Sequence, residues 1–114
     1  MSLRGLDREA ALGRVGGDVD LLKEIAGLFL EDELNMVDAI DQSAAARDAK
    51  SLERSAHTLK GCVSNFGAAE AYEASLALEQ LGRAGDFAAV PEGLQRLRNA
   101  LDKLRPELQQ LASE

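Results

Sequence analysis

Ser55-Ala56-His57-Thr58-Leu59-Lys60-Gly61-Cys62-Val63-Ser64-Asn65-Phe66-Gly67 is the stretch on which the reading of this chain turns. It holds the only histidine in 114 residues. Advanced as a helix by roughly 100° per residue, it places Leu52, Ala56, Leu59, Val63 and Phe66 on one stripe. Such a stripe is the face that a bundle helix buries. His57 falls about 140° from its centre, on the far side, with Glu53, Lys60, Gly61 and Ser64. The phase therefore predicts a solvent-facing imidazole with Lys60 and Gly61 one turn on. A lone histidine is more often a bonded core residue or an idle surface one, and the phase speaks against the first. An exposed imidazole is a competent nucleophile near neutral pH. Lys60 adds a compact positive charge suited to a phosphoryl group. Gly61 costs its helix about 0.5–1 kcal/mol relative to alanine, and close approach of a partner is one reason to carry it.

Working outward, helical periods cover almost the whole chain. Asp7 is placed to cap a short helix over Arg8 to Leu12, ended by Gly13. Gly16-Gly17-Asp18 reads as a turn with Asp18 as the next N-cap. The second helix runs from near Val19 to about Ala46. Ile25, Phe29, Met36 and Ile40 form its stripe, widened by Leu22, Leu30, Leu34 and Val37. Glu33 interrupts the stripe, and a break is expected near Gly27 or Glu31. The run Glu31-Asp32-Glu33 reads as a solvated helix face, because consecutive helix residues point apart and cannot converge on a hard metal ion. Asp48 should cap the His57 helix, which Gly67 ends. A further helix spans about Ala69 to Leu81, with Ala71, Ala74, Leu78 and Leu81 as its stripe. Gly82 to Asp86 reads as a connection, with Asp86 capping the last helix. Leu94, Leu97, Leu101, Leu104, Leu108 and Leu111 alternate spacings of 3 and 4, the seam of a helical bundle. Pro106 should kink or end that helix. A coiled-coil dimer through the seam is the alternative use of these leucines. Short connections imply antiparallel neighbours in an all-α, up-down four-helix bundle with a short extra N-terminal helix.

Composition sets the limits. The length suits a single domain over residues 1–114, with residues 1–6 read as a leader. Aromatics are only 4% of the chain, so the core must be aliphatic. A net charge of -7 disfavours nucleic acid and anionic membrane as partners. No apolar run approaches the ~20 residues of a membrane span. No secretory signal is visible, and Cys62 stands alone, so the chain is expected in the reducing cytoplasm. The phase of Cys62 predicts a half-buried, structural thiol.

His57-Thr58-Leu59-Lys60-Gly61, with Gly67 six residues on and Leu78-Glu79 in the next helix, resembles the histidine-containing phosphotransfer (HPt) domain of bacterial two-component phosphorelays. The resemblance covers about Asp7 to Leu111. It implies a phosphoryl carrier without autonomous catalysis or ATP binding. His57 would accept the group from a receiver-domain aspartate and pass it to another receiver aspartate. It implies that Lys60 holds the phosphoryl oxygens, and that Gly61, Ser64, Glu53 and Ala68 meet the receiver. Glu79 stands where many relatives carry glutamine and would orient the imidazole; a solvated helix acid is the plain alternative. No cofactor and no metal are implied, magnesium being held by the receiver. Partners would be response-regulator receivers and a hybrid sensor histidine kinase, the chain itself being a monomer. Ala71 departs from the leucine usual in the pattern, so the core there should be filled differently.

Three other functions compete. An HPt-like module phosphorylated directly by a chemotaxis-type kinase would look the same. A non-catalytic interaction bundle explains the seam but not the convergence of His57, Lys60 and Gly61. A metal protein or hydrolase lacks the ligands or the second histidine that its chemistry needs.

Overall fold

A computed structural model describes residues 5–114, and all regular structure in that range is helical. The order is α1 (Arg8–Arg14), α2 (Val19–Ala45), α3 (Ala49–Ser64), α4 (Ala69–Ala84) and α5 (Val90–Ala112). Helix α2 packs on α3, α3 on α4, α4 on α5 and α5 back on α2, which closes a four-helix ring; α1 lies against α2. This is the expected bundle with its extra N-terminal helix.

Three of the helices begin as their sequences dictate. The side chains of Asp7, Asp18 and Asp48 accept the amides of Ala10, Leu21 and Ser51 at 3.1, 3.0 and 3.1 Å. Each satisfies one of the orphan donors of a first turn. Gly67 follows α3 at φ +60°, where an L side chain is strained. A Cβ there would also lie 2.7 Å from that of Asp7, so this glycine lets α1 fold against the end of α3. The amide of Asp7 donates to the carbonyl of Phe66 at 2.9 Å across that contact.

The six leucines of the α5 seam are all buried within the chain. They close the bundle core, so the coiled-coil alternative has no free seam to use. Leu52, Ala56, Leu59, Val63 and Phe66 are wholly buried from α3 and its end, as the phase required. Phe29 and Phe66 meet with ring centroids 5.5 Å apart.

Several boundaries differ from the sequence reading, each for a physical reason. Helix α1 runs through Gly13, and α2 runs unbroken through Gly27 and Glu31. A single glycine costs a helix only about 1 kcal/mol relative to alanine, too little to end one that packing holds, and a Cβ built on Gly13 or Gly27 would meet nothing within 4 Å. Helix α5 continues past Pro106 to Ala112. Asp102, whose carbonyl loses its helical donor there, is exposed, so water can take the donor's place. Asp86 does not cap α5, which starts four residues later at Val90 without a side-chain cap; proline at its first turn supplies preset geometry instead. Residues 1–4 of the expected leader lie outside the described residues. The Gly5 amide donates to Glu107 Oε1 at 2.7 Å, which ties this end of the described chain to α5.

Glu33 overturns the solvated-face reading of Glu31-Asp32-Glu33. Glu31 and Asp32 are exposed, but Glu33 is 2% exposed. Its carboxylate receives both arms of Arg105, Nε at 3.0 Å and Nη2 at 2.6 Å. A charge survives at that depth only when paired and hydrogen-bonded in this way. The pairing raises the guanidinium above its ordinary value, the bond to Glu33 outweighing burial.

Gly82, read as loop, lies inside α4 and fixes the spacing of the two helices that carry the site. A Cβ on it would stand 2.6 Å from the backbone nitrogen of Glu53 and 3.1 Å from the carbonyl oxygen of Ala49. Gly82→Ala therefore sets a helix-propensity gain of up to ~1 kcal/mol against an overpacking cost of ~1–3 kcal/mol. The expected outcome is a net loss of stability, read in a urea melt, together with a shift of the His57 ring resonances as α3 is pushed from α4. A variant more stable than wild type would mean that the helices part without cost.

Candidate functional site

The site lies where α3 and α4 run side by side. Helix α3 turns His57 outward, and its side chain is 66% exposed. Glu79 comes from the facing side of α4 and is almost wholly buried. His57 Nδ1 lies 2.9 Å from Glu79 Oε2. Lys60 Nζ lies 2.7 Å from the other oxygen, Oε1. That second contact is a close ion pair off the favourable hydrogen-bond direction. Arg83, one turn along α4, reaches Oε2 at 3.4 Å and Glu53 Oε2 at 2.8 Å.

Burial alone would raise the Glu79 carboxyl. The Lys60 ammonium and the His57 ring, bonded beside it, more than offset that and hold it below its ordinary value. Glu79 is thus an anion at neutral pH, and an anionic carboxylate only accepts. The proton between it and His57 belongs to Nδ1 of the neutral ring. The lone pair is left on Nε2, on an exposed imidazole.

The residues singled out from sequence divide into three groups. His57 and Glu79 come together; the carboxylate is not a solvated acid but a buried partner of the ring. Gly61 is exposed, and a Cβ built on it would meet nothing within 4 Å. No feature of the chain's own packing requires a glycine there. Glu53 is partly exposed and paired with Arg83, while Ser64 is half-buried with its hydroxyl donating to the Gly61 carbonyl at 2.7 Å. Two expectations need correction. Lys60 does not stand free beside the imidazole: its side chain is 17% exposed and lies 5.9 Å over the Tyr72 ring. Helical phase fixes where its Cβ points, and the long stem then folds down to the buried carboxylate. Ala68 cannot meet a partner, because it is 1% exposed in the core at the start of α4.

Three cations of the site were not foreseen. Lys50, Arg54 and Arg83 line an open cleft of about 400 Å³ together with Glu53, His57 and Glu79. The signal was present: Lys50 and Arg54 stand seven and three residues before His57, one helical face, and Arg83 stands four after Glu79. Cys62 is half-buried as expected, and burial, with Asp32 nearby, pushes its thiol up, away from thiolate chemistry. Among the described residues no cluster of metal-ligating side chains forms, and no helix is long and apolar enough to cross a membrane.

Residues 24–107 match the family described as Hpt domain. Among solved structures the chain is similar to histidine-containing phosphotransfer protein B (HptB) from Pseudomonas aeruginosa PAO1. The TM-score is 0.88 over 98% of this chain and 97% of that one, at 22% identity, a likeness of fold. No curated protein matches the chain.

Proposed function

The chain belongs to the Hpt domain family, and from that premise we propose that it accepts a phosphoryl group on His57 from a receiver aspartate and hands it to a second receiver aspartate. The observation that carries this reading is the 2.9 Å contact from the exposed His57 ring to the buried Glu79 carboxylate. It holds the proton on Nδ1 and presents the Nε2 lone pair to solvent. Nε2 attacks phosphorus of the donor acyl phosphate. The N–P bond forms, the P–O bond breaks, and the donor carboxylate leaves with the electron pair. The ring keeps its Nδ1 proton and becomes cationic, facing an anion already in place. No proton has to move, so positioning and charge carry the step. The second transfer is the same step reversed on another aspartate. The carrier brings no nucleotide and no metal of its own in this reading; magnesium belongs to the receiver.

Gly61 supports docking at this face, since its missing side chain serves nothing inside the chain. Gly61→Arg is expected to slow transfer from a phosphorylated receiver on the order of 10²-fold, the scale of a misplaced reacting pair. Labelling by the small donor phosphoramidate should continue at the wild-type rate. Unchanged receiver transfer in that variant would remove close approach from the mechanism.

The reading itself is tested by mixing the protein with phosphorylated receivers and typing the product. Label that is lost in acid, kept in base and absent from His57→Gln is the expected result. Label appearing only with a chemotaxis-type kinase and ATP would replace the relay by direct phosphorylation. No label from either source would leave an interaction bundle.

A further inference from the structure

The cations around His57 sit in two different environments. Lys60 is sequestered: its ammonium is 2.7 Å from Glu79 Oε1, its side chain is 17% exposed, and it does not line the cleft that holds the imidazole. Arg83 is 64% exposed and does line that cleft. Its Nη2 lies 3.4 Å from Glu79 Oε2, the oxygen that accepts from His57 Nδ1 at 2.9 Å. One carboxylate oxygen therefore lies between the guanidinium and the ring.

We infer that these cations divide the work: Arg83 takes the oxygens of the phosphoryl group on His57, and Lys60 is a positioning residue that acts only through Glu79. The inference rests on the carrier reading above.

The energetics favour this division. The Lys60–Glu79 pair is largely buried, and pulling Lys60 away would leave Glu79 Oε1 without a partner on a side chain only 6% exposed. Breaking such a pair is costly because the remaining charge has no solvent. Lys60 is thus poorly placed to swing out to a phosphoryl group. The Arg83–Glu53 pair has side chains 64% and 34% exposed. Exposed pairs of this kind are worth little and are easily exchanged. A phosphoryl dianion on Nε2 offers Arg83 more charge than Glu53 and a geometry that a planar guanidinium can grip with two N–H groups. Arg83 would leave Glu53 for the phosphoryl oxygens and keep its neighbour Glu79. Lys60, by holding Glu79 anionic and in place, keeps the proton on Nδ1 and the lone pair on Nε2.

The test uses phosphoramidate as phosphoryl donor, so that receiver docking plays no part. Its P–N bond breaks, ammonia leaves, and the new N–P bond forms on His57. The rate is followed by phosphorus-31 NMR, the site by mass spectrometry, and the ring tautomer by nitrogen-15 NMR. Wild type is compared with Arg83→Gln, Arg83→Lys, Lys60→Gln, Glu79→Gln and the Lys60→Gln/Glu79→Gln double variant. Arg83→Gln should slow labelling by about tenfold or more, with the His57 tautomer unchanged and partial recovery in Arg83→Lys. Lys60→Gln should slow labelling and shift the tautomer. In the Glu79→Gln background the same Lys60 change should cost less than about twofold, because two residues acting as one unit are not additive. An equal Lys60 cost in both backgrounds would mean that Lys60 meets the phosphoryl group directly and would overturn the division. So would wild-type labelling in Arg83→Gln. Failure of the wild type to label on His57 would instead overturn the carrier reading.

Discussion

His57→Gln abolishes phosphate acceptance and leaves the fold intact; this is the expected result with the largest functional effect. The side chain is 66% exposed, so its loss empties no core space. Glu79 keeps its Lys60 partner at 2.7 Å, so no buried charge is orphaned. Changes at exposed positions away from such features stay within ±0.5 kcal/mol, roughly. A glutamine amide has no nucleophilic lone pair to replace Nε2, so transfer should fall to background rather than slow. Helicity by circular dichroism and the urea midpoint should match wild type. Residual acid-labile label in the variant would place the acceptor elsewhere, and a large loss of stability would mean that the imidazole is part of the architecture.

Arg105→Met carries the largest expected effect on stability. It leaves Glu33 with a side chain 3% exposed and both guanidinium bonds gone. Removing one partner of a buried pair costs about 3–5 kcal/mol, because the other charge stays behind without solvent. That is a large share of the ~5–15 kcal/mol that holds a domain together. The urea midpoint should fall steeply while the slope of the transition stays the same. Glu33→Met in the same chain should restore most of the loss, since replacing both charges by apolar groups of similar volume is often neutral. Folded Arg105→Met molecules should still accept phosphate, because the pair joins α2 to α5 and the site lies between α3 and α4. A loss under ~1 kcal/mol in the single variant would mean that Glu33 finds another partner or water.

These two residues also mark where sequence reasoning succeeds and where it stops. His57 was legible because helical phase is a local property: once five apolar side chains define the buried stripe, the direction of His57 follows. The leucine seam of α5 and the caps at Asp7, Asp18 and Asp48 were legible for the same reason. Glu33 was not, because its partner lies 72 residues away and a charge in an apolar stripe reads as a solvated defect until that partner is seen. Gly82 was taken for a turn because a mid-helix glycine is costly and the reason for it is the backbone of a different helix. Pro106 was read as a kink or an end because the sequence does not show that Asp102, whose carbonyl it strands, is exposed. In the site, phase placed the Cβ of Lys60 correctly but not the far end of its flexible stem. Ala68 looked like a small surface residue because alanine carries no sign of its own burial. For Glu79 the resemblance offered an orienting residue and the sequence a plain helix acid; the packing of α4 on α3 decides between a buried and a solvated carboxylate by placing it 2.9 Å from the His57 ring.

The His57 tautomer that Glu79 would set is the centre of the proposed mechanism, and it can be observed directly. After transfer from a phosphorylated receiver, nitrogen-15 NMR of the labelled His57 ring identifies which nitrogen carries phosphorus. The expected spectrum has phosphorus on Nε2 and a proton on Nδ1, the nitrogen that faces Glu79 at 2.9 Å. Phosphorus on Nδ1 would require the ring to leave Glu79 and would contradict the role given to that carboxylate; an unmodified His57 in a labelled protein would contradict the carrier itself.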